Sequence, residues 1–258
     1  MSAGEYSPPY TITTPILRLV AEISEQVGRL THIEEQRAMP RLRRENRIRT
    51  IQASLAIENN TLSLEQVTAV IDGRHVLGDP REIQEVRNAF AAYEAMDAWN
   101  PASMRDLLAA HGLLMAGLVS GAGRLRSGAV GVYRGDQVIH MAPPADIVPA
   151  HMERLLAWLG RTEEHPLVSG CVFHYELEFI HPFADGNGRM GRLWQTLILR
   201  SWKPILGYLP VESVIKQRQQ VYYRVLSETD KEGDSSMFIE FILTALRDAM
   251  NEAAETAK

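Results

Sequence analysis

The sequence predicts an all-α protein carrying one small β-hairpin. Apolar residues recur at three- and four-residue spacing through most of the 258 residues. Prolines and glycines fall mainly between those stripes, as turns do. One stretch, Gly128 to Met141, departs from helical spacing: Val130, Val132, Val138 and Ile139 flank Arg134-Gly135-Asp136, the pattern of two short strands and a hairpin tip.

The elements follow in order. Residues 47–60, Arg47-Ile48-Arg49-Thr50-Ile51-Gln52-Ala53-Ser54-Leu55-Ala56-Ile57-Glu58-Asn59-Asn60, read as a helix with Ile48, Ile51 and Leu55 on its apolar face. Ser54 and Glu58, four apart, share another face, and Asn59-Asn60 end the helix. Gly78-Asp79-Pro80 divides a helical arm, residues 1–80, from a core, residues 81–258. In the core, Ile83, Val86, Phe90 and Tyr93 make one stripe, and Met104, Leu107, Leu108, His111, Leu114 and Met115 the next. Ile147, Val148, Met152, Leu155, Leu156 and Leu159 follow Pro143-Pro144; Val168, Cys171, Val172, Tyr175 and Phe179 follow His165-Pro166. Leu193, Trp194, Leu197 and Ile198, then Phe238, Phe241, Ile242 and Leu246, complete the set.

Composition narrows the function classes. Hydrophobic residues make up 45% and charged residues 23%, which is globular and not disordered. With 27 basic against 32 acidic side chains the net charge is −5, which argues against a nucleic-acid binder. The single cysteine, Cys171, excludes an internal disulfide and reads as a core thiol. No signal-peptide pattern opens the chain, and no uncharged apolar run reaches about 18 residues, so the expectation is a soluble cytoplasmic protein with no membrane span. The basic run Arg37, Arg41, Arg43, Arg44, Arg47 and Arg49 lacks interleaved aromatics and reads as a solvated, salt-bridged helix face. His165, His174 and His181 have no zinc-site spacing, and His174 reads as a packed helix residue.

The chemistry concentrates in His181-Pro182-Phe183-Ala184-Asp185-Gly186-Asn187-Gly188-Arg189-Met190-Gly191-Arg192. Pro182 disfavours helix at the residue before it, so a helix ends at His181 and presents an imidazole able to take a proton near neutral pH. Gly186 and Gly188 free the backbone for positive φ and for close approach of a ligand. The turn runs into a new helix, whose exposed N–H groups form an anion nest. Arg189 and Arg192, three apart, share a face beside that nest, and guanidinium forks suit phosphate oxygens. Asp185 can hold Mg²⁺ through oxygen. A base, a metal carboxylate, an anion cradle and two cationic clamps suit phosphoryl or nucleotidyl transfer.

This twelve-residue string resembles the signature of the Fic family at every diagnostic position, and differs from the related Doc toxins, whose loop carries lysine where Gly188-Arg189 stand here. Arg126 to Pro144 resembles the family's hairpin flap, and Tyr222, Tyr223, Leu226 and Asp230 its adenine-side segment. The resemblance implies a Fic fold, a helical bundle with a small β-hairpin flap, and transfer of AMP from ATP to a protein hydroxyl. In that case His181 deprotonates the target Ser, Thr or Tyr. Asp185 binds Mg²⁺, the backbone of Gly186, Asn187 and Gly188 holds phosphate oxygens, and Arg189 and Arg192 clamp the outer phosphates. Tyr222 and Tyr223 line the nucleoside pocket, and Val138, Ile139, His140 and Met141 align the target as an added strand. A homodimer is also implied.

Ser54 through Asn59 resembles the family's inhibitory pattern (Ser or Thr, three residues, Glu, then Gly or Asn), with the helix at about 45–60 preceding the core as in class II members. The resemblance implies that Glu58 pairs with Arg192 and denies the γ-phosphate its clamp. Removal of AMP from a modified protein, a different donor such as UTP or CDP-choline, and a non-enzymatic interaction module stay open as alternatives.

Overall fold

The structure, a computed structural model, describes residues 6–37, 40–134 and 137–256, and their side chains outside 32–41, 132–141 and 255–256. The helices are α1 (Thr14–Arg37), α2 (Pro40–Ile57), α3 (Leu64–Ile71), α4 (Pro80–Ala95) and α5 (Met104–Leu114), then α6 (Val148–Arg161), α7 (Pro166–Ile180) and α8 (Asn187–Trp202), and last α9 (Val211–Gln217), α10 (Gln219–Glu232) and α11 (Ser236–Thr256). Local chemistry starts and stops them. Ser63 and Gln66 form a capping box at α3, while Asp79 caps α4 just ahead of Pro80. Ser103 caps α5, and Gly233 closes α10 in the left-handed conformation.

Between α5 and α6 two antiparallel strands, β1 (Gly131–Arg134) and β2 (Gln137–Met141), pair Gly131 with Met141 and Arg134 with Gln137. The register shifts between Val132 and Tyr133. Gly135 and Asp136, at the expected tip, lie outside the described residues.

Helix α7 is the centre of the bundle. Every residue from Leu167 to Leu177 is buried, polar Ser169, His174 and Glu176 included, so the one-sided stripe read from the sequence is narrower than the buried surface. A helix enclosed on all sides must satisfy its polar side chains internally. His174 does so with Gln195 (2.5 Å) and the Tyr222 hydroxyl (3.2 Å), and Glu176 accepts from the Tyr6 hydroxyl (3.1 Å). α8 packs along α7, α1 against α11, and α2 against α9, α3 and α4. Ile16, Ile23, Ile51 and Leu55 from the first 80 residues belong to the same buried cluster as Trp194 and Phe238. Each such side chain contributes roughly 1.5–3 kcal/mol on burial.

The basic run requires one correction. Arg47 is not solvated: it is buried, with its guanidinium carbon 4.9 Å from the Tyr93 ring centre and 5.3 Å from that of Tyr208. Arg43 and Arg200 approach the same Tyr208 ring at 5.0 and 5.2 Å. Aromatic faces take up the cations that the sequence assigned to water. The interleaving aromatics come from α4 and from the segment after α8, which a scan of α2 alone does not reveal. Among the described residues, no helix is long and apolar enough to cross a membrane.

Candidate active site

α7 stops at Ile180, and His181 turns left-handed (φ 49°, ψ 58°) while its N–H still bonds the Leu177 carbonyl at 2.9 Å. A non-glycine residue in that region costs on the order of 1 kcal/mol and persists where its surroundings fix it. Arg126 does the fixing. Its guanidinium donates to the carbonyls of His181 (2.7 Å), Ile180 (3.3 Å) and Gly128 (2.9 Å), and its backbone N–H bonds the Pro182 carbonyl (2.9 Å). The Asn187 side chain closes the loop from inside, accepting from the Phe183 N–H and donating to the Phe183 carbonyl, both at 2.9 Å.

His111 of α5 completes the support. Its Nδ1 accepts from the Gly123 N–H (2.9 Å), so Nε2 carries the proton and donates to the Asp185 carbonyl (3.0 Å). Burial pushes its pKa down, consistent with that neutral tautomer, and its ring stacks on Phe183 at 3.7 Å. Gly186 leads into α8 at φ +87°, where a Cβ would strike Met115.

The loop borders a cavity of about 680 Å³. One end is made by Asp185, Gly186, Asn187, Gly188 and Arg192. The other is made by Tyr175, Tyr222, Tyr223, Leu226 and Asp230, and His181, Glu178, Phe179, Val130 and Gly131 line it as well. Tyr222 is buried, which raises the pKa of its phenol well above the ordinary value. Tyr223 also reaches the end of α2, donating to the Ile57 carbonyl at 3.1 Å. Val138, Ile139, His140 and Met141 run along β2, but their side chains lie outside the described part.

Arg192 is sealed, with 1% of its side chain exposed against 34% for Glu58. Its Nη2 donates to Glu58 Oε1 (2.8 Å) and the Ser54 carbonyl (3.0 Å), and its Nε donates to Ser54 Oγ (3.0 Å). Burial alone would lower this guanidinium's pKa, but the Glu58 carboxylate outweighs it and holds the group charged. Nη1 is buried without a hydrogen-bond partner among the described residues. A Cβ on Gly188 would overlap Glu58 Oε1 and lie 3.1 Å from Arg192 Nη1, so the missing side chain leaves the space in which that carboxylate sits. An orphaned guanidinium nitrogen beside an anion-filled cradle fits a phosphate oxygen.

Arg189 faces the other way. It donates to Asp185 Oδ1 (3.1 Å) and Glu85 Oε1 (3.3 Å), while Arg81 of α4 approaches Asp185 Oδ2 at 3.4 Å. Asp185 also accepts from the Gly186 N–H (2.6 Å). Among the described residues no group of three or more His, Cys, Asp or Glu side chains could hold a metal. A single carboxylate facing the cavity, as Asp185 is beside the anion cradle, suits a magnesium ion that shares its coordination with a phosphate ligand.

Thus the structure brings together His181, Asp185, Gly186, Asn187, Gly188 and Arg192 with Ser54, Glu58, Tyr222 and Tyr223, and holds Arg189 on Asp185. Sequence reasoning missed Arg126, His111, Arg81 and Glu178. Only Glu178 carried a local signal, three residues before His181 on the same helix.

The model of the Fic/DOC family matches residues 101–199. A crystal structure of a Fic family protein from Desulfovibrio desulfuricans G20 is 69% identical, with a TM-score of 0.94 over 98% of this chain and 78% of that one. The chain therefore belongs to the Fic family. The protein adenylyltransferase Fic of Drosophila mojavensis is 30% identical over 240 residues, 87% of this chain but 45% of that protein, so the chain spans about half the length of the curated relatives it matches. Fic-1 of C. elegans, at 24% identity and a TM-score of 0.77 over 94% of this chain and 74% of that one, shares the fold.

Proposed function

We propose that this chain is a protein adenylyltransferase that moves AMP from ATP to a Ser, Thr or Tyr hydroxyl of a target protein and is restrained by its own Glu58. The observation that carries this reading is the Glu58 carboxylate in the Gly188 cradle, bonded to Arg192 at 2.8 Å, with Arg192 Nη1 left unpartnered among the described residues. A cradle filled by an internal carboxylate is one that an external anion can compete for. Residues 1–80 then act as a regulatory arm of the class II kind on the catalytic core, residues 81–258.

In this reading the ring of His181 takes the proton of the acceptor hydroxyl. The oxygen attacks the α-phosphorus, the bond to the β-phosphate breaks, and pyrophosphate leaves with its charge met by the α8 N-terminus and the arginines. Asp185 would hold Mg²⁺ together with phosphate oxygens, and the ion would offset charge on the leaving group. Tyr222 and Tyr223 take the nucleoside side, and β2, from Val138 to Met141, serves as a flap that aligns the target backbone. A cytoplasmic setting, where ATP is plentiful, goes with this chemistry.

Mass spectrometry of the Glu58→Gly protein after incubation with ATP and Mg²⁺ tests the proposal: an AMP adduct is expected on it and none on Glu58→Gly/His181→Ala. An adduct that survives loss of His181 rejects the assigned base. Equal labelling of wild type and Glu58→Gly, with His181→Ala silent, removes the restraint by Glu58 and keeps the transferase.

A further inference from the structure

Glu178 lines the cavity, touched by Tyr222 of the aromatic group and within the field of Arg192 of the phosphate group, yet nothing in the chemistry above uses it. Its side chain is 14% exposed. Tyr222 donates its hydroxyl to Glu178 Oε1 at 3.4 Å, and His174 Nε2 lies 3.8 Å from the same oxygen. Both contacts use Oε1; Oε2 makes no hydrogen bond or ion pair among the described residues. Burial alone would raise this carboxyl's pKa. The bond with His174, and the charges of His181 and Arg192, outweigh that and hold it below the ordinary value. The group is an anion with a spare acceptor oxygen, in a place that a bound nucleotide would shield from water.

The phosphate cradle cannot use such an oxygen, because it would repel a phosphate. The base stacks on or slots between rings, and its own donor, the adenine amine, lies on the side remote from the phosphates, whereas Glu178 is within the field of Arg192. What lies between phosphate and base in a nucleotide is the sugar, whose hydroxyls are hydrogen-bond donors. We propose that Glu178 Oε2 accepts a ribose hydroxyl and makes the site selective for ribonucleotides over deoxyribonucleotides. This rests on the nucleotide reading of the cavity and adds to it the chemical class of the sugar. A site built around a hydroxyl rejects the analogue that lacks it, since its buried acceptor is left without a partner. A hydrogen bond to a charged group contributes enough for about 10- to 100-fold in affinity.

The decisive experiment is calorimetric titration of the wild-type chain with ATP, 2′-deoxy-ATP and 3′-deoxy-ATP in the presence of Mg²⁺. The same series is run on Glu178→Leu and Glu178→Gln, with circular dichroism to show that both fold. Wild type should bind ATP at least about tenfold more tightly than one of the two deoxy analogues, which also identifies the hydroxyl. Glu178→Leu should bind all three within about twofold, and Glu178→Gln, which keeps an acceptor oxygen, should retain part of the preference. If wild type binds all three equally, or if Glu178→Leu keeps the full preference, Glu178 does not read the sugar although the nucleotide site stands. If neither wild type nor Glu58→Gly binds nucleotide, the reading of the cavity fails and this inference with it.

Discussion

The loop from His181 to Gly188 and the segment from Ser54 to Asn60, in which α2 ends, meet at Arg192, but they are secured differently. The loop's backbone is pinned by one side chain of its own and two from other elements. Arg126 takes up the carbonyls at its start, Asn187 clamps Phe183, and His111 holds Asp185. The end of α2 is held from outside, by groups on neighbouring helices. Lys216 donates to the Ala56 carbonyl (2.6 Å), while Gln219 and Tyr223 donate to Ile57 (2.8 and 3.1 Å). Glu58 itself is one-third exposed where Arg192 is sealed. These bonds keep the loop in one shape, whereas the proposed restraint requires that the end of α2 can leave its position. A few hydrogen bonds at a helix end, each contributing about 1 kcal/mol, are the kind of restraint a ligand can overcome.

The comparison breaks most visibly if the loop proves tolerant. Arg126→Ala leaves several carbonyls at the α7 terminus unpaired, and each buried orphan costs roughly 1–3 kcal/mol. Urea denaturation should show a loss of about 3–5 kcal/mol, and AMP labelling should vanish even with Glu58→Gly. A stable Arg126→Ala protein that still labels would mean that the left-handed turn at His181 needs no external support.

Glu58→Gly should act in the opposite sense on activity. Removing a charge-assisted bond of roughly 1.5–3 kcal/mol from the cradle should raise labelling about 10- to 100-fold. Stability should fall by about 1–2 kcal/mol, because Arg192 stays buried with only Ser54 to receive it. Activity rising while stability falls is the signature of a restraint; a rise in both would show that Glu58 strains the fold instead. Lys216→Ala with Gln219→Ala should give a weaker version, raising labelling about twofold to tenfold with Glu58 intact. No change in a radiolabelled-ATP assay would assign the hold on α2 to its packing against α9 rather than to its C-terminal carbonyls.

The same difference explains what is legible in the sequence. The loop is contiguous: twelve residues carry the proposed base, cradle and clamps in a spacing that local rules interpret, and Ser54 and Glu58 are four apart, the first in α2 and the second just past its end. Helix positions are equally readable, since periodicity and caps are local. The supports are not. Arg126 reaches His181 across 55 residues, and His111 reaches Asp185 across 74, so neither has a sequence neighbour that reveals its role. Arg47 misleads for the same reason: the rings that receive it belong to other elements. Glu178 escapes notice because a glutamate near a helix end reads as solvated until the cavity beside it is known.

The smallest effect expected on this comparison is that of pH, and it serves as the control. Glu176 lies on the buried α7, and burial, with the charge of Asp230, pushes its carboxyl up to about 7 against the Tyr6 hydroxyl, which favours the ionised form. Glu212, buried on α9, is raised to about 7 for the same first reason. A carboxyl whose folded pKa exceeds its unfolded value stabilises the fold most below the unfolded value, and that stability is lost as pH rises through the folded one. Wild-type stability should therefore decline between about pH 4.5 and 7, with Glu176 accounting for on the order of 1 kcal/mol. Glu176→Gln, which keeps a neutral partner for Tyr6, should flatten that share of the slope in denaturation curves taken across the window. The ratio of labelling between Glu58→Gly and wild type should not move with it. If Glu176→Gln changes that ratio, the hold on α2 reaches through the central helix, and the two regions are one cooperative unit rather than a fixed loop and a releasable clasp.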